Sequence, residues 1–535
     1  MSKHGRTVVF GIMAGLAMVI VLVATPPHAD AIPAFSRQYN TSCSTCHIDF
    51  PKLNDFGKAF KDAGFKFPTD DESMLKIPPV LLGAPAQSEL WPKAIWPGSI
   101  PGLPPIGLRM NNYFQVVGAN RGNFTGGGVT PPGTAFVPRT DFETGFFSIF
   151  TAGNFGSDIA FWVDDDLSVS GANANGSLGD GYLKFVNIGR FMHLPKDAFT
   201  IRAGQFELDL PFTQARSYDI SPYDIYTEAN IGAMNALFPQ QNVNNTFALA
   251  DAAQGVEFSG GHQYGGYHYS VAIVNQHTGG PIDTGTNIPS ATGGNNGGLG
   301  FFSDSNFKDI YGRFSYRFNL ERNAESRHSI QAAGPAGPRD HTYLRLGVYD
   351  FYGRSVQRFT GTNGTLTARE PFYRLGGDFD FGYHGVFNLY GLYMYGHDHN
   401  LLPFGSTGAL LPLPLATGTV ITGFMNGVPA TFSGGFMQAD YMVYPWMMLI
   451  MRWDSVHSTA DLLNGAAGSP ANFPFPFNTT RNRFTPGAQF LIHANIKASF
   501  EYQIRPQQSV TVGTTGLPVQ AFRTNAVTAG LEFVY

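Results

Sequence analysis

From about residue 107 to Tyr535 the chain is a succession of short segments in which apolar and polar residues alternate, separated by clusters of Gly, Pro, Asn and Asp. In 496–504, Ile496, Ala498, Phe500, Tyr502 and Ile504 alternate with Lys497, Ser499, Glu501 and Gln503. In 310–318, Phe314, Tyr316 and Phe318 alternate with Arg313, Ser315 and Arg317; in 267–275, Tyr267, Tyr269, Val271 and Ile273 alternate with His268, Ser270 and Ala272. The last segment, with Val527, Ala529, Leu531, Phe533 and Tyr535 on one face, closes on an aromatic. A period of two puts successive side chains on opposite faces of a strand. Repeated at this length, it predicts an all-β, transmembrane antiparallel β-barrel, apolar toward lipid and polar toward the lumen, with aromatics at both interfaces. A soluble sandwich also alternates, but it has no need of an export signal, a terminal aromatic and 23 tyrosines together.

Segments fall near 107–118, 140–152, 157–167, 181–191, 199–206, 247–258, 266–275, 310–318, 342–351, 371–382, 385–396, 432–444, 446–456, 480–491, 494–504 and 522–535. That is about 16 strands, an even number as bacterial barrels require. Joins after even-numbered segments are mostly short and those after odd-numbered ones mostly long, which matches short periplasmic turns and longer outer loops. Residues 319–341 break the alternation, and 207–246 is long enough to fold inward as a constriction.

Composition narrows the alternatives. Charged residues make up only 14% of the chain, and 34 basic against 39 acidic residues leave a net charge of −5, so nothing suits nucleic acid. No stretch after residue 31 is apolar long enough for a spanning helix. Residues 1–31 read as a signal peptide: Lys3 and Arg6 precede an apolar core at 8–23, and Ala29-Asp30-Ala31 is a small-x-small cleavage site. The core is shorter than the ~20 residues of a transmembrane helix. Residues 32–79 then form a small module, 80–106 a Pro-rich linker, and 107–535 the barrel.

The module carries the chemistry. Both cysteines of the chain lie in Cys43-Ser44-Thr45-Cys46-His47. In an exported protein C-x-x-C-H reads as the attachment site of one covalent haem c: two thiols add to the two vinyl groups on one porphyrin edge, and His47 becomes the proximal iron ligand. A structural disulfide and a redox dithiol have no use for His47, and zinc needs two further ligands. A short helix should follow, with Leu53, Phe56 and Phe60 on one face and Gly64 as its stop. About 50 residues bury too little surface to be stable alone, so haem and a surrounding wall must supply the rest.

At these residues the chain resembles the fused outer-membrane monohaem cytochrome–porins, whose best-known members are iron oxidases of iron-oxidising bacteria. The resemblance covers Pro33-Ala34-Phe35-Ser36-Arg37-Gln38, the haem motif, Pro51, Leu53, Gly57, Phe60-Lys61 and Gly64-Phe65. Ser36 and Phe65 depart from it, standing where Ala and Tyr are expected. It implies a haem plug in a porin-like barrel of the outer membrane, with electrons passing from extracellular Fe(II) to a periplasmic electron-carrier cytochrome. Outward electron export uses the same parts, and a solute porin with a structural or sensory haem module is the alternative from another class. Whether the chain counts as an enzyme, an Fe(II) oxidase, stays open; no hydrolytic or transferase site can be argued.

Other candidates stand against plainer readings. Met74 could be the distal iron ligand, or simply a methionine near the linker. His268 could also ligate, though a lumen-facing histidine in water is the simpler reading. An open or water-bound iron fits as well. His397 and His399, in an outer loop, suit collection of Fe(II), as does Asp164-Asp165-Asp166; a turn with solvated charges explains both.

Overall fold

The computed structural model describes residues 34–68, 71–90, 98–102, 105–117, 139–156, 158–167, 177–195, 197–213, 217–227, 252–275, 307–321, 342–399, 401–409, 411, 418–426, 429–458, 480–504 and 525–535. The expected signal peptide and most of the 319–341 join lie outside them.

Sixteen strands close into one antiparallel barrel. They are β1 Ile106–Val117, β2 Arg139–Phe155, β3 Ile159–Leu167, β4 Ser177–Phe185, β5 Thr200–Glu207, β6 Ala252–Gly261, β7 Gly266–Asn275 and β8 Lys308–Asn319. The second half is β9 Tyr343–Gly361, β10 Gly364–Tyr383, β11 Phe387–Asp398, β12 Ala430–Tyr444, β13 Met447–Ser458, β14 Thr480–His493, β15 Ile496–Gln503 and β16 Ala526–Val534. Closure is made by β16 against β1, with Leu531 opposite Asn112 and Val534 opposite Arg109. Every strand therefore has two hydrogen-bonded neighbours, and no edge is left.

The period-two pattern sorts as expected. Ile310, Phe314, Tyr316 and Phe318 of β8 are exposed on the outside while Arg313, Ser315 and Arg317 are buried within. Leu449, Met451 and Trp453 of β13 face out; Arg452 and Asp454 face in. An apolar exterior of this extent on a closed barrel is the architecture of an outer-membrane porin-type protein.

The ninth and tenth strands depart from the sequence reading. Their segments were placed at 342–351 and 371–382 with a loop between; instead both continue, paired residue by residue, to Gly361 opposite Gly364. Only Thr362 and Asn363 turn the chain, and Gly364 takes φ +106°, a region open to glycine. The extension is held by an apolar cluster of Phe359, Ala368 and Ile421. The inward fold expected of the long join after β5 is present in its described part. Leu208, Leu210, Tyr223, Ile225 and Tyr226 pack on the lumen-facing Tyr311, Tyr349, Phe372, Tyr390, Met394 and Phe436.

The N-terminal module sits inside the mouth that carries the short turns. It has α1 (Ala34–Tyr39), a 3-10 turn at Cys43–Thr45, α2 (Asp55–Asp62) and α3 (Asp71–Met74). Its core of Tyr39, Phe56, Phe60, Phe65 and Phe67 runs directly into Ala152 and Ala160 of the wall. The wall thus completes a core that the module alone is too small to form.

Candidate functional site: the C-x-x-C-H turn in the barrel mouth

Helix α2 begins where the sequence can start one. Asn54 caps it, accepting from Gly57 N at 2.8 Å. The same amide donates backward to Ser44 O at 3.1 Å and Thr45 O at 3.0 Å, inside the motif. Asn54 N donates to Cys46 O at 2.9 Å. Gly57 lies so close that a Cβ there would stand 2.1 Å from Cys46 O. The helix and the motif are therefore one locally bonded unit. Gly64, with φ +81°, and the Phe65 N to Phe60 O bond at 3.0 Å end the helix where the sequence placed its stop.

Cys43 and Cys46 are unbridged and both partly exposed. Burial pushes the Cys43 thiol up and the Cys46 thiol up to about 12, the reverse of the depressed values of redox-active C-x-x-C pairs. His47 reaches the surface with one edge, yet its Nδ1 is buried and carries no hydrogen bond. Burial pushes the imidazole down to about 4, so the ring is neutral, the form that binds a metal. Two unbridged thiols on one turn beside a neutral imidazole with an orphaned nitrogen are the donor set a c-type haem requires, and the residues present fit it. Met74, at the end of α3, packs on the same aromatic cluster as Cys46. A cavity of about 230 Å³ opens beside α1, lined by Ala34, Arg37, Gln38, Lys66 and Leu75 among others; neither cysteine lines it.

The wall grips this unit from several sides. Arg317 of β8 makes a two-pronged ion pair with Asp55, one arm at 2.7 Å, with both side chains buried. Burial would raise the Asp55 carboxyl, but Lys58 and Arg317 hold it below its ordinary value. Lys184 of β4 donates to Lys61 O at 3.1 Å and Asp62 O at 3.3 Å, at the C-terminal end of α2, where a cation complements the helix dipole. Lys497 of β15 donates to Phe50 O at 3.1 Å, and Lys52 pairs with Asp440 of β12 at 3.5 Å. Phe65 of the module lies 5.6 Å from Trp162 of β3.

The remaining candidates are placed elsewhere. His268 stands on β7 with its Nε2 bonded to Asp209 Oδ2 at 2.9 Å. His397 and His399 are brought within 4.9 Å of each other at the far end of β11, where His397 also stacks on Tyr373. Asp398 between them turns inward to Arg374 at 2.6 Å. Asp164 accepts from Trp162 Nε1 at 3.0 Å and from Asp180 N at 2.6 Å. Among the described residues, no three His, Cys, Asp or Glu side chains converge on a metal position. Sequence reasoning passed over Asn54, Arg317, Lys184 and Lys497. Only Asn54 carried a signal, as an Asn just ahead of an apolar helical face.

No protein-family model matches the chain, and no curated protein is similar to it. Among solved structures, it is similar to the outer membrane channel DcaP of Acinetobacter baumannii, 11% identical, covering 80% of this chain and 96% of that one at a TM-score of 0.42. An anion-selective porin from Comamonas acidovorans is 12% identical, covering 80% and 98% at 0.44. OprB of Pseudomonas putida is 10% identical, covering 80% and 94% at 0.43. What defines the architecture is the closed sixteen-strand register itself.

Proposed function

We propose that the protein is an outer-membrane electron-transfer protein that holds one covalent c-type haem on Cys43, Cys46 and His47. It takes electrons from extracellular Fe(II) and passes them to a periplasmic electron-carrier cytochrome. The observation that carries this reading is the C-x-x-C-H turn wedged in the short-turn mouth, with an apolar cluster of the inward segment and the wall beyond it in a lumen otherwise lined by buried charges. A solute porin needs a continuous polar, watered lumen; the belt of Tyr349, Phe372, Leu392, Met394 and Phe436 packed against the inward segment interrupts the polar lining, which supports electron transfer instead.

A bound haem would supply one-electron storage at a potential set by its axial ligands and burial. The chain's own residues do the rest. The thiols anchor the group, the buried neutral His47 offers a nitrogen, and the aromatic core beside Cys46 keeps water away on that side. Met74, within the module, is the distal candidate, because His268 on the wall commits its Nε2 to Asp209. Each Fe(II) that gives up one electron becomes Fe(III), which stays outside. In this reading His397 and His399, at the far end of β11, collect that ion.

The test is reduction of the purified protein in vesicles of known orientation. Fe(II) supplied at the long-loop face should reduce the haem, with dithionite as the control for competence. Reduction by dithionite but never by Fe(II) would favour electron export or another donor. Steady solute flux through the barrel would favour the porin.

A further inference from the structure

We propose that the barrel wall sets the geometry of the haem-binding turn: Arg317 and Lys184, acting through α2 and Asn54, fix the orientation of Cys43, Cys46 and His47. The inference deepens the function proposed above and rests on it. The wall is then part of the cytochrome, and residues far from the motif tune the group that the motif holds.

The chain of contacts is short and continuous. Helix α2 is fixed at both ends by the wall, through Asp55 to Arg317 at the N-terminal end and through the carbonyls of Lys61 and Asp62 to Lys184 at the other. Arg317 is itself seated on the Tyr343 ring at 3.7 Å, so it cannot swing freely. Asn54 precedes Asp55 directly and ties the start of α2 to two carbonyls of the motif. Gly57, one turn into the helix, touches Cys46 O with no room for a side chain. A helix of eight residues held at both ends behaves as a rigid strut, so a shift at either end must appear at Ser44, Thr45 and Cys46. Asn54 acts here as a positioning residue: it touches the backbone of the turn and none of the attaching atoms.

The experiment uses the full-length, haem-loaded protein and reads midpoint potential and the visible absorption bands. Asn54→Asp keeps the oxygen that accepts from Gly57 N but sets a carboxylate oxygen against the Ser44 and Thr45 carbonyls. It should shift both readouts most. Lys184→Met should shift them less, and Lys184→Arg should restore them. Arg317→Met should shift them too; if that variant fails to fold, the Asn54 and Lys184 variants still decide. Arg190→Ala, which removes an exposed pair with Asp158 in the same mouth, is the control and should leave both unchanged. Unaltered potential and bands in Asn54→Asp and Lys184→Met, with haem attached, would overturn the inference and leave the function standing. A wild-type protein without covalent haem would instead overturn the function, and this inference with it.

Discussion

Among the described residues, two segments occupy the inside of the barrel, and both are anchored in the same way. The N-terminal module is held by Arg317 on Asp55 and by Lys184 and Lys497 on backbone carbonyls. The inward segment after β5 is held by Arg452 on Asp219 at 3.1 Å, Arg483 on Asp224 at 3.1 Å and Glu501 accepting from Ser221 N at 3.0 Å. In each, lumen-facing charges of the wall meet charges or backbone groups of the filling segment, and an apolar cluster seals the contact. The cargo differs. The module brings two unbridged thiols and a neutral imidazole, whereas the inward segment brings Leu208, Leu210, Tyr223 and Ile225 into an apolar cluster with the wall. In the proposed function the first segment would hold the redox group and the second would exclude water above it.

The comparison predicts effects that separate the two segments. The largest is all-or-none: Cys43→Ala with Cys46→Ala should abolish covalent haem, read as haem stain after denaturing electrophoresis. Heat-modifiable migration of the barrel should persist, because the inward segment and the strand register are untouched.

Next in size is Arg317→Met. It removes the two-pronged partner of buried Asp55 and leaves only Lys58 beside it, a loss of up to about 3 kcal/mol for a broken buried pair, read as a lower unfolding midpoint for the module. Adding Asp55→Leu should recover most of it. The pH dependence has a definite sign. Asp55 is held below its ordinary value of 3.8, so its share of stability is present above that value and is lost as the pH falls through the lower folded one. Without Arg317, burial raises the same carboxyl in the variant, so the gap between wild type and Arg317→Met should begin to narrow as the pH falls through that raised value and close further as it falls through the lowered wild-type one. A gap that does not narrow at all on acidification would point to another group.

Tyr223→Ala acts on the other segment. Removing a fully buried ring stacked 4.0 Å from Phe436 should cost on the order of 3 kcal/mol. It should also raise ion conductance in planar bilayers while leaving the haem spectrum as it was. If the spectrum moves as much as in the module variants, the two segments are not separate in function. Smallest is His397→Ala with His399→Ala, which should slow reduction by external Fe(II) modestly and leave the haem spectrum unchanged.

The barrel was legible because one rule, period two, acts on every strand alike. Ile310 to Phe318 sorts in the structure as it does on paper. The hairpin at Thr362-Asn363 was missed because both strands run on into a polar stretch, where the apolar face no longer marks them. The turn signal was present, an Asn between two glycines of Gly361-Thr362-Asn363-Gly364. Cys43, Cys46 and His47 stood out in the sequence because the C-x-x-C-H spacing is itself the expected chemistry, and the structure keeps them together on one turn. Arg317 and Lys184 were not, since a lumen-facing cation that grips a helix is spelled the same as one that faces water. Only the fold, which brings Asp55 and the end of α2 across more than a hundred residues of chain, distinguishes them.

The central claim, a single haem bound covalently by the module, can be met by one measurement. The protein is expressed in an exporting host with haem-attachment machinery, purified from the outer membrane and digested, and the peptide containing Cys43 to His47 is weighed. The account predicts the mass of that peptide plus one haem joined through both sulfurs. An unmodified peptide with two free thiols, from a barrel that is otherwise folded and inserted, would contradict it.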